Sequence, residues 1–324
     1  MLSKSDAISL LNKLGKEGTP FKFYCDFLGE EWCVEESTSD DSVKAFQLEI
    51  AGETLDERQK TLEASFEKFP IPFSVFQEAF KKVIHQINIG NSFLTNLTFQ
   101  TPVETNLSLG EIFQHSRAKY KLLVPDQFVV FSPETFIQIK NSQIYSYPMK
   151  GTINADVPNA ASTILADVKE KAEHVTIVDL IRNDLSQVAK NVEVTKFRYI
   201  DELSTNEKNL LQVSSEIKGN LPEDWKANLG SILSKLLPAG SISGAPKQET
   251  VKIIQETENY NRRFYTGICG HFDGQSLDTG VMIRFIHQQG DRLSYHSGGG
   301  ITSFSEAEKE YQEMVDKVYL AFSL

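Results

Sequence analysis

The chain has 324 residues, of which 33 are Lys or Arg and 44 are Asp or Glu, so its formal net charge is −11. Hydrophobic residues make up 40% and charged residues 24%, which excludes a disordered tail protein and a coiled-coil rod. No apolar run approaches the ~20 residues that a membrane-spanning helix needs. Met1–Leu11 lacks the apolar segment of a secretory signal. We therefore expect a cytoplasmic protein that does not bind membranes.

The distribution of charge and cysteine limits the partners further. Between Glu30 and Glu57 there are ten acidic residues and one lysine, Lys44. Such a surface repels phosphate backbones, so we expect no nucleic-acid binding. A small anionic substrate requires a metal ion or local basic groups that offset this charge. The three scattered cysteines predict neither a disulfide framework nor a zinc site.

The pattern of apolar residues predicts interspersed strands and helices. The first seventy residues are expected to form strands and loops, and 72–87 has helical spacing of Phe, Ala, Val and Ile. Further helices are predicted at 160–184, 247–258 and 305–321. Strands are predicted at 92–100, within 127–152, and at 265–272, 280–287 and 291–296, followed by a turn at Gly298–Gly300. The hairpin-like order indicates an α+β fold rather than a doubly wound parallel sheet.

Two predicted helices carry glutamates three residues apart, Glu170 with Glu173 and Glu310 with Glu313. This spacing puts each pair on one helix face. One interpretation is a solvated face, but each pair runs into apolar sequence, where unneutralised carboxylates are costly. If the pairs converge, their oxygen atoms suit Mg²⁺ together with a substrate carboxylate.

Glu134 and Lys150 flank a predicted hairpin. A two-residue turn at Asn141–Ser142 places Glu134 opposite Met149, and a three-residue turn places it opposite Lys150. An acid and an amine are thus expected to meet at the open end of the hairpin. They form either a cross-strand ion pair or a general acid beside a nucleophilic lysine.

Two glycine-rich loops and one arginine are candidate anion-binding groups. The segment 240–247 enters a helix, whose free N–H groups attract anions, and 296–300 could form a nest of amides. For both loops the alternative is a plain tight turn. Arg284 lies in an apolar strand, either on an edge reaching solvent or buried against an anion such as a carboxylate.

Eight stretches resemble the chorismate-utilising enzymes, in family order and over about 75–322. They are SPETF (132–136), PMKGT (148–152), EHVTIVDLIRNDL (173–185), PAGSISGAPK (238–247), YTGICG (265–270), IRF (283–285), SGGGI (297–301) and EYQEMVDK (310–317). The resemblance implies a large four-layer α/β/β/α sandwich with two antiparallel sheets packed face to face. It further implies a shortened N-terminal part, 1–70, packed on a catalytic region, 71–324.

The resemblance also implies a set of site residues. The four glutamates, Glu170, Glu173, Glu310 and Glu313, would bind Mg²⁺ and through it a chorismate carboxylate. The other polar groups of chorismate would be held by Arg284, Tyr265, Ser241, Ser243, Gly298, Gly299, Gly300, Lys247 and Thr152.

Lys150 distinguishes the branches of this family. Anthranilate and isochorismate synthases typically have alanine at this position, and aminodeoxychorismate synthases have lysine. The resemblance therefore implies that Lys150 attacks chorismate C2 as the C4 hydroxyl leaves, with Glu134 as the acid/base. Ammonia then attacks C4 and expels the lysine, giving 4-amino-4-deoxychorismate for p-aminobenzoate and folate synthesis. Leu94 occupies the position of a water-activating lysine in isochorismate synthases.

The implied reaction needs partners. No cysteine lies in a nucleophile elbow, so ammonia would come from solution or from a glutamine amidotransferase subunit. A separate lyase would be required to form p-aminobenzoate. The alternatives are anthranilate synthase component I and a catalytically silent chorismate-binding paralogue, since Gln212 stands where the family often has histidine.

Overall fold

The computed structural model describes residues 1–37, 45–51, 64–204 and 209–322, so parts of the N-terminal prediction lie outside the described residues. The described residues form eight α-helices: α1 (Lys4–Glu17), α2 (Phe73–Asn88), α3 (Leu109–His115), α4 (Ala160–Ala166), α5 (Val168–Leu185), α6 (Leu229–Leu236), α7 (Lys247–Thr257) and α8 (Ala307–Asp316). Among them, none is long and apolar enough to cross a membrane.

The strands are interspersed with these helices along the described residues. In order they are β1 (Leu2–Ser3), β2 (Phe21–Cys25), β3 (Glu31–Glu36), β4 (Gln47–Ile50), β5 (Phe66–Lys68), β6 (Leu94–Thr105), β7 (Tyr120–Val124), β8 (Phe128–Ser132), β9 (Thr135–Lys140), β10 (Gln143–Ser146), β11 (Met149–Asn154), β12 (Lys190–Ser204), β13 (Asn209–Asn220), β14 (Gly244–Ala245), β15 (Ile268–Phe272), β16 (Leu277–Val281), β17 (Phe285–Gln289) and β18 (Arg292–Ile301).

These strands form two antiparallel sheets. The first has the order β1-β3-β2-β15-β16-β9-β10-β13-β11, with β12 also paired to β13. The second has the order β14-β6-β18-β17-β8-β7-β4, with β5 paired to β6. Since β2 pairs with β15 and β6 with β18, both sheets combine N-terminal and C-terminal strands.

Apolar side chains hold the layers together. Tyr24 and Cys269 of the first sheet pack against Phe128 and Phe285 of the second. On the outer face of the first sheet, α1, α5 and α6 bury their apolar residues, and α2, α3 and α8 do the same on the second sheet. The predicted α/β/β/α sandwich is therefore confirmed. The boundary between 1–70 and 71–324 stays a prediction.

The N-terminal expectation of strands and loops alone is wrong, because α1 is a helix. Ala7, Leu11 and Leu14 are spaced to lie on one buried face. Ser3 caps the helix by accepting from the Asp6 N–H, and Gly18 ends it in the left-handed region at φ 69°.

The predicted strand 280–287 is two strands in different sheets. β16 ends at Val281 in the first sheet and β17 begins at Phe285 in the second. The chain crosses between the sheets at Met282–Arg284, and Arg284 has φ 53°. This left-handed conformation is incompatible with one continuous strand over 280–287.

Two further differences concern helices and a hairpin. The predicted helix 160–184 is divided into α4 and α5 at Asp167, whose side chain caps α5 by accepting from the Glu170 N–H. The helix predicted at 305–321 is shorter and ends at Asp316. The long hairpin β12–β13 was not predicted.

Candidate active site

Lys150, on β11, is the central cation of the candidate site. Its Nζ donates to Glu173 Oε2 on α5 at 2.8 Å, and its side chain is 25% exposed. A Cβ atom at Gly300 would lie 3.3 Å from Lys150 Nζ and 3.5 Å from Leu94 Cδ1. The missing side chain at Gly300 therefore leaves room for the lysine beside Leu94.

The two glutamate pairs approach this lysine from two helices. Glu173 and Glu310 are 4% and 5% exposed, so for these two residues the solvated-face interpretation is wrong. A Cβ atom at Gly299 would lie 3.4 Å from Glu310 Oε2 and 3.7 Å from Glu313 Oε1. Glu313 also acts electrostatically on the Lys150 ammonium, so the α8 pair lies close to Lys150.

The electrostatics of Lys150 reflect these neighbours. Burial alone lowers the pKa of the Lys150 ammonium, but Glu173, Glu313 and Glu170 together raise that pKa above its usual range. Lys150 is therefore an ammonium ion at neutral pH when no other cation offsets the carboxylates.

The donor chemistry of the four glutamates fits Mg²⁺, which prefers carboxylate oxygens. Among the described residues, however, no three acidic, His or Cys side chains are arranged as a metal-ligand set. Glu173 bonds instead to Lys150, and Glu313 Oε1 lies 2.6 Å from Lys317 Nζ. The magnesium site stays a prediction.

Lys317 was not singled out from the sequence, although it follows Glu313 by one helical turn. Its Nζ also donates to Gly298 O at 2.9 Å. Burial lowers the pKa of the Lys317 ammonium against the effect of Glu313, and nearby Arg284 and Lys150 lower that pKa further. The cations Lys317, Arg284 and Lys150 are thus close enough to interact electrostatically.

Glu134 precedes β9 and accepts a hydrogen bond from the Ser241 hydroxyl. Burial raises the pKa of the Glu134 carboxyl, although Ser241, Arg284, Lys317 and Lys150 each act to lower that pKa. The hairpin turn has two residues, Asn141–Ser142, as the pairing of Lys140 with Gln143 requires. Lys150 forms its hydrogen bond with Glu173. Its interaction with Glu134 is electrostatic.

Arg284 lies at the crossover between the sheets, so the edge-strand interpretation is wrong. Its Nε donates to the Tyr319 hydroxyl at 3.0 Å, and its guanidinium carbon lies 5.1 Å from the centre of the Tyr319 ring. Tyr265 is buried, and burial raises the pKa of its phenol. Because Arg284 and Glu134 both act electrostatically on that phenol, these three groups share one region. Tyr319 was not predicted.

The loop residues divide into two groups. Ser241 faces Glu134, whereas the Ser243 hydroxyl donates to Ala239 O at 2.8 Å. Lys247 Nζ lies 2.6 Å from Asp184 Oδ2 and donates to Leu236 O at 3.0 Å. The side chains of Ser243 and Lys247 are thus bonded to the protein, and nothing in these contacts indicates a substrate role.

The predicted turn at Gly298–Gly300 is wrong, because these residues belong to β18. They pair with Thr98, Leu97 and Asn96 of β6. β17 pairs with β18 only as far as Phe285 opposite His296 among the described residues. The amides therefore lie on a strand edge rather than in a curved nest. A Cβ atom at Gly298 would lie 2.2 Å from Leu97 O, which explains the glycine.

Two further residues lie close in sequence to the Lys150–Glu173 pair, Thr152 on β11 and His174 on α5. Thr152 on β11 pairs in register with Gln212 on β13. His174, next to Glu173, was not predicted. Its Nε2 lies 2.7 Å from Ser215 Oγ, and burial lowers the pKa of its imidazole to about 4, with Arg198 and Lys150 acting in the same direction. His174 is therefore neutral at pH 7.

Comparison with known proteins identifies a family that this chain matches. A model of the chorismate binding enzyme family matches residues 12–322. An uncharacterized PabA-like protein of Haemophilus influenzae is 49% identical over 97% of this chain and 95% of its own length. Aminodeoxychorismate synthase component 1 of Bacillus subtilis is 31% identical over 78% of this chain, which spans 56% of that relative's length.

The fold has solved counterparts. The menaquinone-specific isochorismate synthase of Escherichia coli superposes with a TM-score of 0.72, covering 98% of this chain and 81% of its own, at 15% identity. At this identity the likeness concerns the fold alone.

Proposed function

The chain belongs to the family of chorismate binding enzymes, and we propose that it acts as component I of an aminodeoxychorismate synthase. It would convert chorismate and ammonia to 4-amino-4-deoxychorismate. The observation that carries this proposal is the position of Lys150, an amine bonded to Glu173 and lying beside Gly300 and Leu94. The B. subtilis relative supports it by name and identity.

The first step requires a free amine at Lys150. Since neighbouring carboxylates raise the pKa of this ammonium, it must lose a proton to solvent before attack, and a cation bound by the same carboxylates would lower that pKa. The Nζ–C2 bond then forms as the C4–O bond breaks.

Glu134 is suited to the departing hydroxyl. Burial raises the pKa of its carboxyl, so Glu134 takes up a proton more readily than an exposed glutamate does, and in its protonated form it can give the hydroxyl its proton, releasing water. Ammonia then attacks C4, the C2–Nζ bond breaks, and the surplus proton of the ammonia nitrogen returns to Glu134.

The cations and the predicted metal would hold the substrate. Arg284 and Lys317 are the candidates for direct contact with carboxylate or ring oxygens, because both lie within electrostatic range of Glu134. Mg²⁺ held by Glu170, Glu173, Glu310 and Glu313 would neutralise a chorismate carboxylate when bound.

The source of ammonia is proposed to be a glutamine amidotransferase subunit. Glutaminase chemistry needs a reactive thiolate. Burial raises the pKa of the Cys25 and Cys33 thiols, and raises that of Cys269 to about 12. The described cysteines are thus poor nucleophiles.

Product identification tests the function. The purified protein is incubated with chorismate, Mg²⁺ and ammonium, and aminodeoxychorismate lyase is then added. We expect p-aminobenzoate. Anthranilate formed before the lyase is added would instead assign the protein as anthranilate synthase component I, and the absence of any turnover would favour a silent paralogue.

A further inference from the structure

Glu258 and Arg262 form a buried ion pair beside the site, in the segment that follows α7. Arg262 Nε donates to Glu258 Oε2 at 2.8 Å, and one of its terminal nitrogens donates to Glu258 Oε1 at 2.6 Å. The Arg262 side chain is 2% exposed and the Glu258 side chain is 1% exposed. This two-point geometry fixes the guanidinium plane.

The remaining donors of Arg262 reach two other segments. One terminal nitrogen donates to Ile242 O at 2.9 Å, and the other donates to Asn96 O at 2.7 Å. Glu258 Oε1 also accepts from the N–H and the hydroxyl of Thr98, each at 2.8 Å. The ion pair therefore joins β6 to the 240–242 turn.

Each joined segment carries a group of the candidate site. Ile242 follows Ser241, whose hydroxyl donates to Glu134. Asn96 and Thr98 pair in register with Gly300 and Gly298 of β18. Gly300 lies beside Lys150, and Gly298 O accepts from Lys317. The Tyr265 N–H also donates to Arg262 O at 3.0 Å.

We propose that Glu258 and Arg262 are positioning residues that hold the Ser241 hydroxyl on the Glu134 carboxylate and fix the β6–β18 strands against Lys150. Only the effect on turnover rests on the proposed function. A buried ion pair adds little net stability over apolar side chains of the same volume. The Arg262 guanidinium has five donors, and it shares them among three segments. A lysine cannot reproduce this geometry.

Glu134 reports on this role without turnover. The groups acting on it are Ser241, Arg284, Lys317 and Lys150, with Tyr265 and Asp184 also nearby. Among these, the Ser241 hydrogen bond lowers the pKa of Glu134. Displacing Ser241 should therefore raise that pKa.

The experiment is an NMR titration of the Glu134 carboxyl carbon, assigned by its loss in Glu134→Gln. Arg262→Lys keeps a charge for Glu258 but cannot serve both Ile242 O and Asn96 O. We expect it to raise the pKa of Glu134 as Ser241→Ala does, and the double variant to add little beyond either single one.

Turnover with chorismate and ammonium gives the second readout. Because Glu134 acts in the chemical step, Arg262→Lys should lower kcat by about 10- to 100-fold and leave the KM for chorismate within about threefold. As a matched control, Lys252→Gln breaks the exposed Lys252–Glu249 pair of α7 and should leave both the titration and kcat unchanged.

Thr98→Val keeps the side-chain shape and removes one donor to Glu258, so it serves if Arg262→Lys does not fold. If the pKa of Glu134 in the folded variant equals that of the wild-type protein, the proposal is overturned. If the wild-type protein forms no aminodeoxychorismate but the titration shifts as expected, the proposed function has failed and the positioning role stands.

Discussion

Lys150 and Lys247 both pair with α5, yet their surroundings differ. Lys150 bonds to Glu173 at 2.8 Å and Lys247 to Asp184 at 2.6 Å. Several carboxylates outweigh burial at Lys150 and raise the pKa of its ammonium. At Lys247 burial outweighs the single carboxylate of Asp184, and the pKa of that ammonium is lowered.

The difference suits the reactive role proposed for Lys150 and a structural role for Lys247. Lys150 is surrounded by more negative charge than it can neutralise, which suits a site that receives a further cation. Lys247 is matched by one carboxylate and one backbone carbonyl, Leu236 O, and this pairing ties α7 to α5 and α6. Both lysines were predicted to belong to the site, and their contacts now set them apart.

The largest expected effect is on turnover. Lys150→Ala should lower kcat for aminodeoxychorismate formation by at least ~10³-fold, because the proposed nucleophile is lost. Lys150→Arg, which keeps the charge, should be equally impaired. Lys247→Met should lose less than about tenfold per folded molecule. Comparable losses in kcat for Lys150→Ala and Lys247→Met would remove the distinction.

The next effect is on stability. Lys247→Met leaves the Asp184 carboxyl buried without its cation, so the free energy of unfolding should fall by about 3 kcal/mol. Adding Asp184→Asn should recover part of that loss. Urea unfolding measures both variants. A Lys247→Met protein as stable as wild type would mean that this pair is not structural.

A smaller effect concerns magnesium. If Mg²⁺ binds the four glutamates, ten times its dissociation constant should stabilise the native state by roughly 1.4 kcal/mol. Calorimetry should show this increase in wild type and Lys247→Met, and its loss in Glu310→Gln. An increase that survives Glu310→Gln would place the ion elsewhere.

The smallest effect is the alkaline pH dependence, which should have opposite signs for the two lysines. Above pH ~10.4 native Lys150 keeps its proton longer than the unfolded chain, so the stability difference between wild type and Lys150→Met should fall as pH rises. Native Lys247 loses its proton at a lower pH than the unfolded chain does. The stability difference between wild type and Lys247→Met should therefore rise with pH up to pH ~10.4. Urea unfolding between pH 8 and 11 checks both signs.

The sequence predicted this site unevenly, for physical reasons. Helical spacing predicted that each glutamate pair shares a face, and strand pattern predicted the α+β class. The bond between Lys150 and Glu173 joins β11 to α5, and the crossover at Arg284 joins two sheets. Such long-range contacts depend on tertiary packing, which periodicity does not report. Glycines 298–300 looked like a turn because close strand approach and a turn both favour glycine.

Covalent catalysis by Lys150 is tested most directly by the intact mass of the protein after incubation with chorismate and Mg²⁺ in the absence of ammonia. We predict an adduct equal to chorismate less one water, mapping to Lys150 by peptide digestion and released when ammonium is added. An active protein that never carries this adduct, or carries it on another residue, would contradict covalent catalysis by Lys150.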